Sequence, residues 1–234
     1  MGLVKFGAGI VQISGSIAGT VHARNRFGNY IRPRTKPVNK HTERQEAIRT
    51  ILSVMTEYWN SSMNDGEREL WNVYAAGVSW LNRIGETVHV TGFNMFCRTN
   101  AVVITCGGAL SKVAPTILSL PTKDTTMHIG GTSIANQTIT YHFSTAGWTG
   151  PNPKMGIAVY QGLPQLSSRN FFNGHWRFQK FFEGPGGTPG IVIVEAVFPF
   201  ALGQKLFIKA RLLDSDHRVS EQWQLTPYVV PVDA

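Results

Sequence analysis

The spacing of apolar residues changes once along this chain, and that change limits the folds open to it. Between residues 42 and 104 apolar residues recur at intervals of three and four, which is typical of amphipathic helices. After residue 109 they alternate with polar residues in short runs separated by turn-forming residues, which is typical of β-strands. We therefore expect an α+β fold in which helices precede antiparallel strands.

Helix starts are marked by capping residues. Thr42 with Gln45, and Asn64 with Glu67, have the spacing of capping boxes. Because the segment between the two predicted helices is short, we expect an antiparallel helical hairpin. The apolar spacing assigns its core to Ile48, Leu52, Met55, Trp59, Trp71 and Tyr74. Thr91 is predicted to cap a third helix.

The last half of the chain contains six or seven short runs with strand patterns, such as "QTITYHF", "GIVIVEAVF" and "KLFIKARLL". Strands at this spacing without helices between them predict an antiparallel β-sandwich of immunoglobulin or fibronectin type, with a jelly roll as the alternative. Three domains follow from these patterns: an extended basic arm over 1–41, a helical domain over 42–108 and a β-sandwich domain over 109–234.

The arm contains the sharpest charge signal. It has six basic residues and no acid between residues 24 and 40: Arg24, Arg26, Arg32, Arg34, Lys36 and Lys40. Phe27 and Tyr30 lie among them, a mixture suited to phosphate contact with stacking. Alternatively, the basic residues pair with acids of a neighbouring subunit or of the acidic segment 42–80. Pro33 and Pro37 exclude a continuous helix, so we expect an extended arm, with a short strand at "AGTVHAR", that lacks a core of its own.

Composition narrows the classes of function. The net charge of +8 favours anionic partners, and only 15% of residues are charged, so we expect part of the surface to be covered. The N-terminus is a poor secretory signal and no apolar run is long enough to cross a bilayer, which predicts a protein made in a reducing compartment without membrane contact. Cys97 and Cys106 are expected to stay reduced.

Motifs for chemistry are lacking in the sequence. The seven histidines do not have the spacing of a helical zinc site, and Asp214 and Asp216 in "DSDHR" are interpreted as turn residues. There is no nucleophile elbow and no phosphate loop with its lysine. We therefore predict no catalytic residues, no metal and no cofactor.

A combined motif in the first 100 residues resembles an uncharacterised family of phage- and prophage-associated proteins. Its shared positions are Gly15, Gly19, Arg24, Asn25, Arg26, Gly28, Lys36, Pro37, Asn39, Thr42, Gln45, Trp59 and Trp71. Where relatives often have Asn-Pro, this chain has Asn39 followed by Lys40. The family supplies no mechanism, but the resemblance implies a role in a virus particle.

Three functions follow as hypotheses. The first is a non-enzymatic structural protein of a bacteriophage particle: a coat, decoration, or tail or neck component. It would be made in the host cytoplasm and form a homo-oligomer through its arm, with copies of itself, other virion proteins and packaged nucleic acid as partners. The second is a nucleic-acid-binding accessory protein that uses the arm. The third is a carbohydrate- or receptor-binding module, suggested by Trp148, Trp176 and Trp223.

Overall fold

The computed structural model describes residues 2–7, 9–82, 84–144, 154–183 and 190–231. Along the chain it contains a small N-terminal sheet, then three helices with a short hairpin, then ten further strands. The fold is therefore α+β, as predicted. Every strand pairing within the described ranges is antiparallel.

Residues 2–33 form a four-stranded sheet, here called the N-terminal sheet, where we predicted an extended arm. Its strands are β1 (Gly2–Val4), β2 (Gly15–Ile17), β3 (Thr20–Asn25) and β4 (Gly28–Pro33), in the order β1-β4-β3-β2. The strand suggested at "AGTVHAR" is present as β3. The prediction of an extended arm was wrong: Pro33 and Pro37 exclude a helix, but Pro33 ends β4 and Pro37 follows it, so neither prevents the preceding residues from pairing as strands.

The β3–β4 turn shows how the local sequence specifies this sheet. Asn25 pairs with Gly28, which leaves a two-residue turn, and the Asn25 side-chain oxygen accepts a hydrogen bond from the Phe27 amide at 2.9 Å. Gly28 has φ +115°, a conformation that residues with a Cβ rarely adopt. The segment "NRFG" therefore closes a hairpin, although its arginines suggested an open arm.

The N-terminal sheet has no core of its own. None of the described residues between 2 and 41 is buried. It contacts the rest of the chain through an ion pair between Lys5 Nζ and Glu86 Oε1 at 2.6 Å, and through a groove beside the short hairpin that contains Glu86. The sheet thus forms by backbone pairing without buried side chains.

The helical unit begins at residue 42. Its elements are α1 (Glu43–Glu57), a π-helical turn (Tyr58–Ser62), α2 (Asp65–Gly77), a hairpin of β5 (Trp80–Leu81) and β6 (Thr87–Val88), and α3 (Gly92–Thr105). Both predicted capping boxes are confirmed, at Thr42 with Gln45 and at Asn64 with Glu67. Thr91 caps α3 as predicted, its hydroxyl accepting from the Asn94 amide at 3.2 Å. Helices α1 and α2 each pack against α3.

The first two helices pack mainly on α3 and not on each other, so the predicted two-helix hairpin was wrong. Four of the six residues predicted for its core nevertheless lie in the shared helical core. Met55, Trp71 and Tyr74 are buried, and Trp59 packs against them. Ile48 and Leu52 were wrong: their exposed fractions are 56% and 48%. The apolar spacing correctly places both on one helix, but no described residue of 43–50 is buried, so this end of α1 lies outside the core.

The β half starts at residue 128. Its strands are β7 (His128–Ser133), β8 (Thr138–His142), β9 (Lys154–Gly162), β10 (Gln165–Leu166), β11 (Trp176–Glu183), β12 (Ile191–Glu195), β13 (Gln204–Leu206), β14 (Ile208–Asp214), β15 (Trp223–Gln224) and β16 (Tyr228–Val229). They form three sheets, ordered β12-β8-β7, β11-β9-β14-β15 and β10-β13-β16. Each of the three runs quoted from this half overlaps at least one of these strands, whereas β7, with two glycines, was not predicted.

One hydrophobic core joins strands of all three sheets of the β half. Ile139 and Tyr141 on β8, Ile157 on β9 and Ile208 on β14 are essentially inaccessible, and Leu206 on β13 belongs to the same cluster. The alternation in "QTITYHF", which predicted that Ile139, Tyr141 and Phe143 face one way, is thus confirmed.

Helix α3 connects the helical unit to the β half. Phe96 and Met95 lie in the helical core. Val102 and Val103 pack against the sheet β11-β9-β14-β15, in a cluster with Leu213 of β14 and Val219 of the segment after it. The helix is consequently buried on two sides, which its composition alone did not indicate.

The segment after α3 packs on the helices before the chain reaches the first strand of the β half. Ala114 is buried in the helical core, and Trp71 Nε1 donates to the Lys112 carbonyl at 2.9 Å. The Asn100 side chain accepts from the Ser111 amide at 2.8 Å and donates to the Ser111 carbonyl at 3.1 Å. This segment follows residue 108, where we placed the end of the helical domain, and it lies against the helices.

Candidate interaction surfaces

Strand pairing places the six predicted basic residues at different positions on and beyond the N-terminal sheet. Arg24 shares a face with its pairing partner Asn29, Arg32 shares the other face with Val21, and Arg26 lies in the β3–β4 turn. Arg34, Lys36 and Lys40 follow β4 in the exposed segment that leads to α1. All six are exposed, but the fold does not bring them together as one patch.

Within the described residues, none of these six basic side chains has a carboxylate at ion-pairing distance. Arg24 Nη1 approaches Gln12 Oε1 at 3.5 Å. Two of the helical acids have other partners: Glu46 pairs with Arg49, and Glu67 pairs with Lys112 at 2.8 Å. Pairing with the chain's own helices, one of our two interpretations, is therefore not what the described structure contains.

The two aromatic residues predicted to stack beside the arginines lie on the sheet with partly buried rings. Tyr30 pairs with Ala23 and with Leu3 and so shares a face with both. Phe27 lines a groove of about 390 Å³ between the N-terminal sheet and the β5–β6 hairpin, together with Trp80 and other residues. Phe27 therefore lies at the groove between the N-terminal sheet and the β5–β6 hairpin.

A second surface was not predicted from the sequence. The start of α1 and the start of β11 enclose a groove of about 580 Å³, here called the cationic groove. It is lined by Thr42, Arg44, Gln45, Ile48, Arg49, His175, Trp176 and Arg177. Its two sides are about 130 residues apart in the chain, so no local motif could have revealed it.

Trp176 forms a fixed wall of the cationic groove. Its ring meets Phe172 edge to face at 4.7 Å, and Phe172 in turn stacks on Phe207 at 5.5 Å. Lys209 Nζ lies 4.4 Å from the centroid of the Trp176 ring, a cation–π contact. Arg44 Nη2 donates to the Trp176 carbonyl at 3.4 Å, which links α1 to β11.

Positive charge is concentrated around this groove. Burial, and then repulsion from Arg177, lower the pKa of Arg44. Burial, and then repulsion from Arg211, lower the pKa of Lys209. Glu46 is engaged with Arg49 and His41 at the edge of the groove. In the described part of the chain Arg44, Arg177 and Lys209 have no carboxylate partner.

The remaining polar clusters have structural partners. Asp214 and Asp216 both pair with the buried Arg218, at 2.8 and 2.6 Å, which agrees with their interpretation as turn residues. The rings of His128 and His142 lie 5.1 Å apart on neighbouring strands. A search of the described residues finds no group of three or more potential metal-ligating side chains.

The two cysteines are free thiols, as predicted, and both are half-buried. Cys97 packs against the helical core and Cys106 against the sheet side of α3. Burial raises the pKa of Cys97 to about 11 and that of Cys106 to about 12. Neither thiol is activated as a nucleophile.

The tryptophans that suggested a carbohydrate-binding module divide into three cases. Trp176 is half-buried at the cationic groove, and Trp223 packs against the core of the β half. Trp148 lies outside the described residues. No helix in the described ranges is both long and apolar enough to span a membrane.

Comparison with protein-family models and with curated proteins gives no match for this chain. Among solved structures, the chain is similar to the twitchin kinase region from C. elegans, with a TM-score of 0.34 and 10% sequence identity. The similarity covers 49% of this chain and 17% of that chain. At this level it assigns neither a fold family nor an activity.

Proposed function

We propose that this protein is a non-enzymatic structural component of a bacteriophage particle, in which many copies assemble through the N-terminal sheet. We propose a virus particle because the first 100 residues resemble phage-associated proteins. The observation that carries the assembly role is the exposure of the N-terminal sheet: four strands pair regularly, yet no described residue in 2–41 is buried.

A sheet of this kind gains stability when another surface covers it. Small sheets need a hydrophobic face that is packed, since backbone pairing alone is marginal in water. One face presents Leu3, Val21 and Tyr30, and the other presents Ile17 and Ile31. None of these apolar side chains is fully buried, and Ile17 is 58% exposed. We assign the cover to a second copy of this chain.

The edges of the N-terminal sheet suit the same role. Strands β1 and β2 are the outer strands, and each pairs on one side only within the described residues. An unpaired edge offers backbone donors and acceptors to a strand of another chain. Pairing between copies would extend the sheet from one subunit to the next without new side-chain recognition.

The rest of the chain has supporting roles in this proposal. The helical unit anchors the sheet through Lys5 and Glu86. The β half is proposed to be a β-sandwich, immunoglobulin-like or jelly-roll, that packs beside its neighbours or projects from the particle. Arg24, Arg26, Arg32, Arg34, Lys36 and Lys40 would contact acidic surface of another virion protein or packaged nucleic acid.

Deletion of residues 1–41 tests the assembly role. We expect the shortened chain to keep its helical circular dichroism, because none of the removed described residues is buried, and to sediment as single copies while the full chain forms large particles. The matched control is Lys123→Gln, which removes an ion pair to Glu221 outside the N-terminal sheet and keeps every strand, and which should still assemble. Particles formed by the shortened chain in electron micrographs would refute the proposal.

A nucleic-acid-binding accessory protein is the second candidate, favoured by the six basic side chains without carboxylate partners in the described structure. If each contacts one phosphate of a duplex, the affinity should fall by about three decades between about 50 and 200 mM salt. A binding constant that does not change with salt excludes this candidate.

A further inference from the structure

The cationic groove has a composition that the proposed assembly role does not explain. Arg44 and Arg49 come from α1, and His175 and Arg177 come from β11 and the residue before it. Like charges repel when folding brings them together, and here the repulsion by Arg177 contributes to the lowered pKa of Arg44. The fold therefore holds positive charges close together at a surface open to solvent, which is electrostatically unfavourable.

Charged groups in proteins normally have partners of opposite charge when they are held close together. Neither acid in the first turn of α1, Glu43 or Glu46, is among the residues that line the groove, and Glu46 binds Arg49 and His41. Arg44 has a carbonyl at 3.4 Å and Lys209 has the ring of Trp176. Neither partner carries a negative charge, so both cations remain available to an anion.

The groove is also preformed. A Cβ added to Gly162 would approach the Phe172 ring at 2.8 Å, and one added to Gly174 would approach it at 2.5 Å, so Phe172 is closely confined. Phe172 packs against Trp176 and so holds this wall of the groove in place, and Arg177, the next residue of β11, also lines the groove. A ligand would meet donors that are already in place, which reduces the entropy lost on binding.

We propose that the cationic groove is a binding site for a phosphate group, held by the guanidinium groups of Arg44 and Arg177. The planar guanidinium presents paired N–H donors that match two oxygens of a phosphate. The groove volume of about 580 Å³ accommodates a nucleotide-sized ligand. Free phosphate compounds and the backbone of a nucleic acid carry the same group, and both are candidate sources.

This inference does not depend on the N-terminal sheet. Arg44 and Arg177 lie outside residues 1–41, and the groove contains none of the six basic residues considered above. Assembly of the shortened chain, which would refute the assembly role, and a failure of phosphate binding by the full chain, which would refute this inference, are separate results.

Calorimetric titration of the full chain with inorganic phosphate and with a short oligothymidylate tests the site. We expect Arg44→Gln to weaken whichever ligand binds by about tenfold or more, the loss typical of a charge-assisted contact. The circular dichroism of this variant should match that of the unaltered chain, because Arg44 is exposed and the hydrogen bond that it loses is long, at 3.4 Å. Arg177→Gln should have a similar effect. The matched control, Arg169→Gln, changes an exposed arginine outside the groove and should leave both affinities unchanged.

The two titrants distinguish the sources. Binding of both, with the oligothymidylate affinity falling about sevenfold between about 50 and 200 mM salt, indicates a nucleic-acid backbone held at two phosphates. Binding of inorganic phosphate alone indicates a free phosphate compound. The proposal is overturned if neither titrant binds, or if Arg44→Gln binds both as tightly as the unaltered chain does.

Discussion

At the scale of single residues, buried polar side chains hold the helical unit against the β half. Arg98 on α3 donates to the carbonyls of Val219 and Ser220 at 2.7 and 2.6 Å, and its guanidinium lies 4.6 Å from the ring centroid of Trp80. Arg218 donates to the Ser119 carbonyl at 3.0 Å as well as to its two aspartates. Burial lowers the pKa of Arg98 to about 10, which leaves it charged at neutral pH.

The thiols of Cys97 and Cys106 allow a prediction at this scale. An increase of the thiol pKa from 9.0 to about 11 reduces the thiolate fraction of Cys97 at pH 8 by about a hundredfold. We therefore expect Ellman's reagent to modify Cys97 about a hundred times more slowly in the folded chain than in denaturant, measured with Cys106→Ala to isolate the signal. Equal rates in the two states would contradict the burial of this thiol.

The same raised pKa values have a consequence for stability. The unfolded thiols lose their protons near pH 9, whereas the folded thiols keep them to about pH 11 and about pH 12. Below pH 9 the protonated thiols make their full contribution to the free energy of unfolding. This contribution declines as the pH rises from 9 to about 12. The chain with Cys97→Ala and Cys106→Ala should show a smaller decline in the free energy of unfolding above pH 9.

At the scale of elements, the close contact of α2 and α3 is set by a glycine. A Cβ at Gly92, the first residue of α3, would lie 2.3 Å from Asn72 Oδ1 and 2.8 Å from the Asn72 backbone nitrogen. Backbone cannot move aside as a flexible side chain can. Gly92 thus determines how near the two helices approach.

Gly92→Ala should lower the free energy of unfolding by about 2 kcal/mol, the typical cost of overpacking, in urea denaturation. Gly66→Ala is the matched control, since Gly66 lies in the first turn of α2 and its added Cβ would meet only Asn64 Oδ1, at 3.3 Å. We expect that change to have an effect of less than about 1 kcal/mol. Equal losses for the two variants would show that helix contact is not set at Gly92.

The elements also show what could be predicted from the sequence. Helix starts at Thr42, Asn64 and Thr91 were predictable because a cap depends on residues three apart. The exposure of Ile48 was not, because apolar spacing identifies a helix face without indicating whether another element covers it. The cationic groove was hidden because Arg44 and Arg177 meet only through the tertiary fold.

At the scale of the whole molecule, the described structure divides into parts of unequal packing. Helix α3 belongs to the helical core and to the cluster beside the four-stranded sheet, so these two parts share buried residues. The N-terminal sheet shares none with them. Local unfolding of the N-terminal sheet in a single copy therefore need not disturb the helical unit or the β half.

Hydrogen exchange measures this difference. In dilute single copies we expect the amides of β3 and β4 to exchange at least about a hundredfold faster than those of α3, because their hydrogen bonds lie in a sheet without buried cover. In the assembled form the same amides should become protected. Equal protection of β3 and α3 in single copies would show that the sheet is stabilised by its own chain.

The double packing of α3 constrains how the gene can be divided. A cut at codon 109 follows the change in amino-acid pattern, yet it would separate Val102 and Val103 from the sheet residues that they cover. The downstream fragment would expose Val219 and Leu213, which are buried in the whole chain. The upstream fragment would expose Val102 and Val103. Recombination at that position would then yield two aggregation-prone fragments. We therefore expect the helices and the sheets to be inherited together.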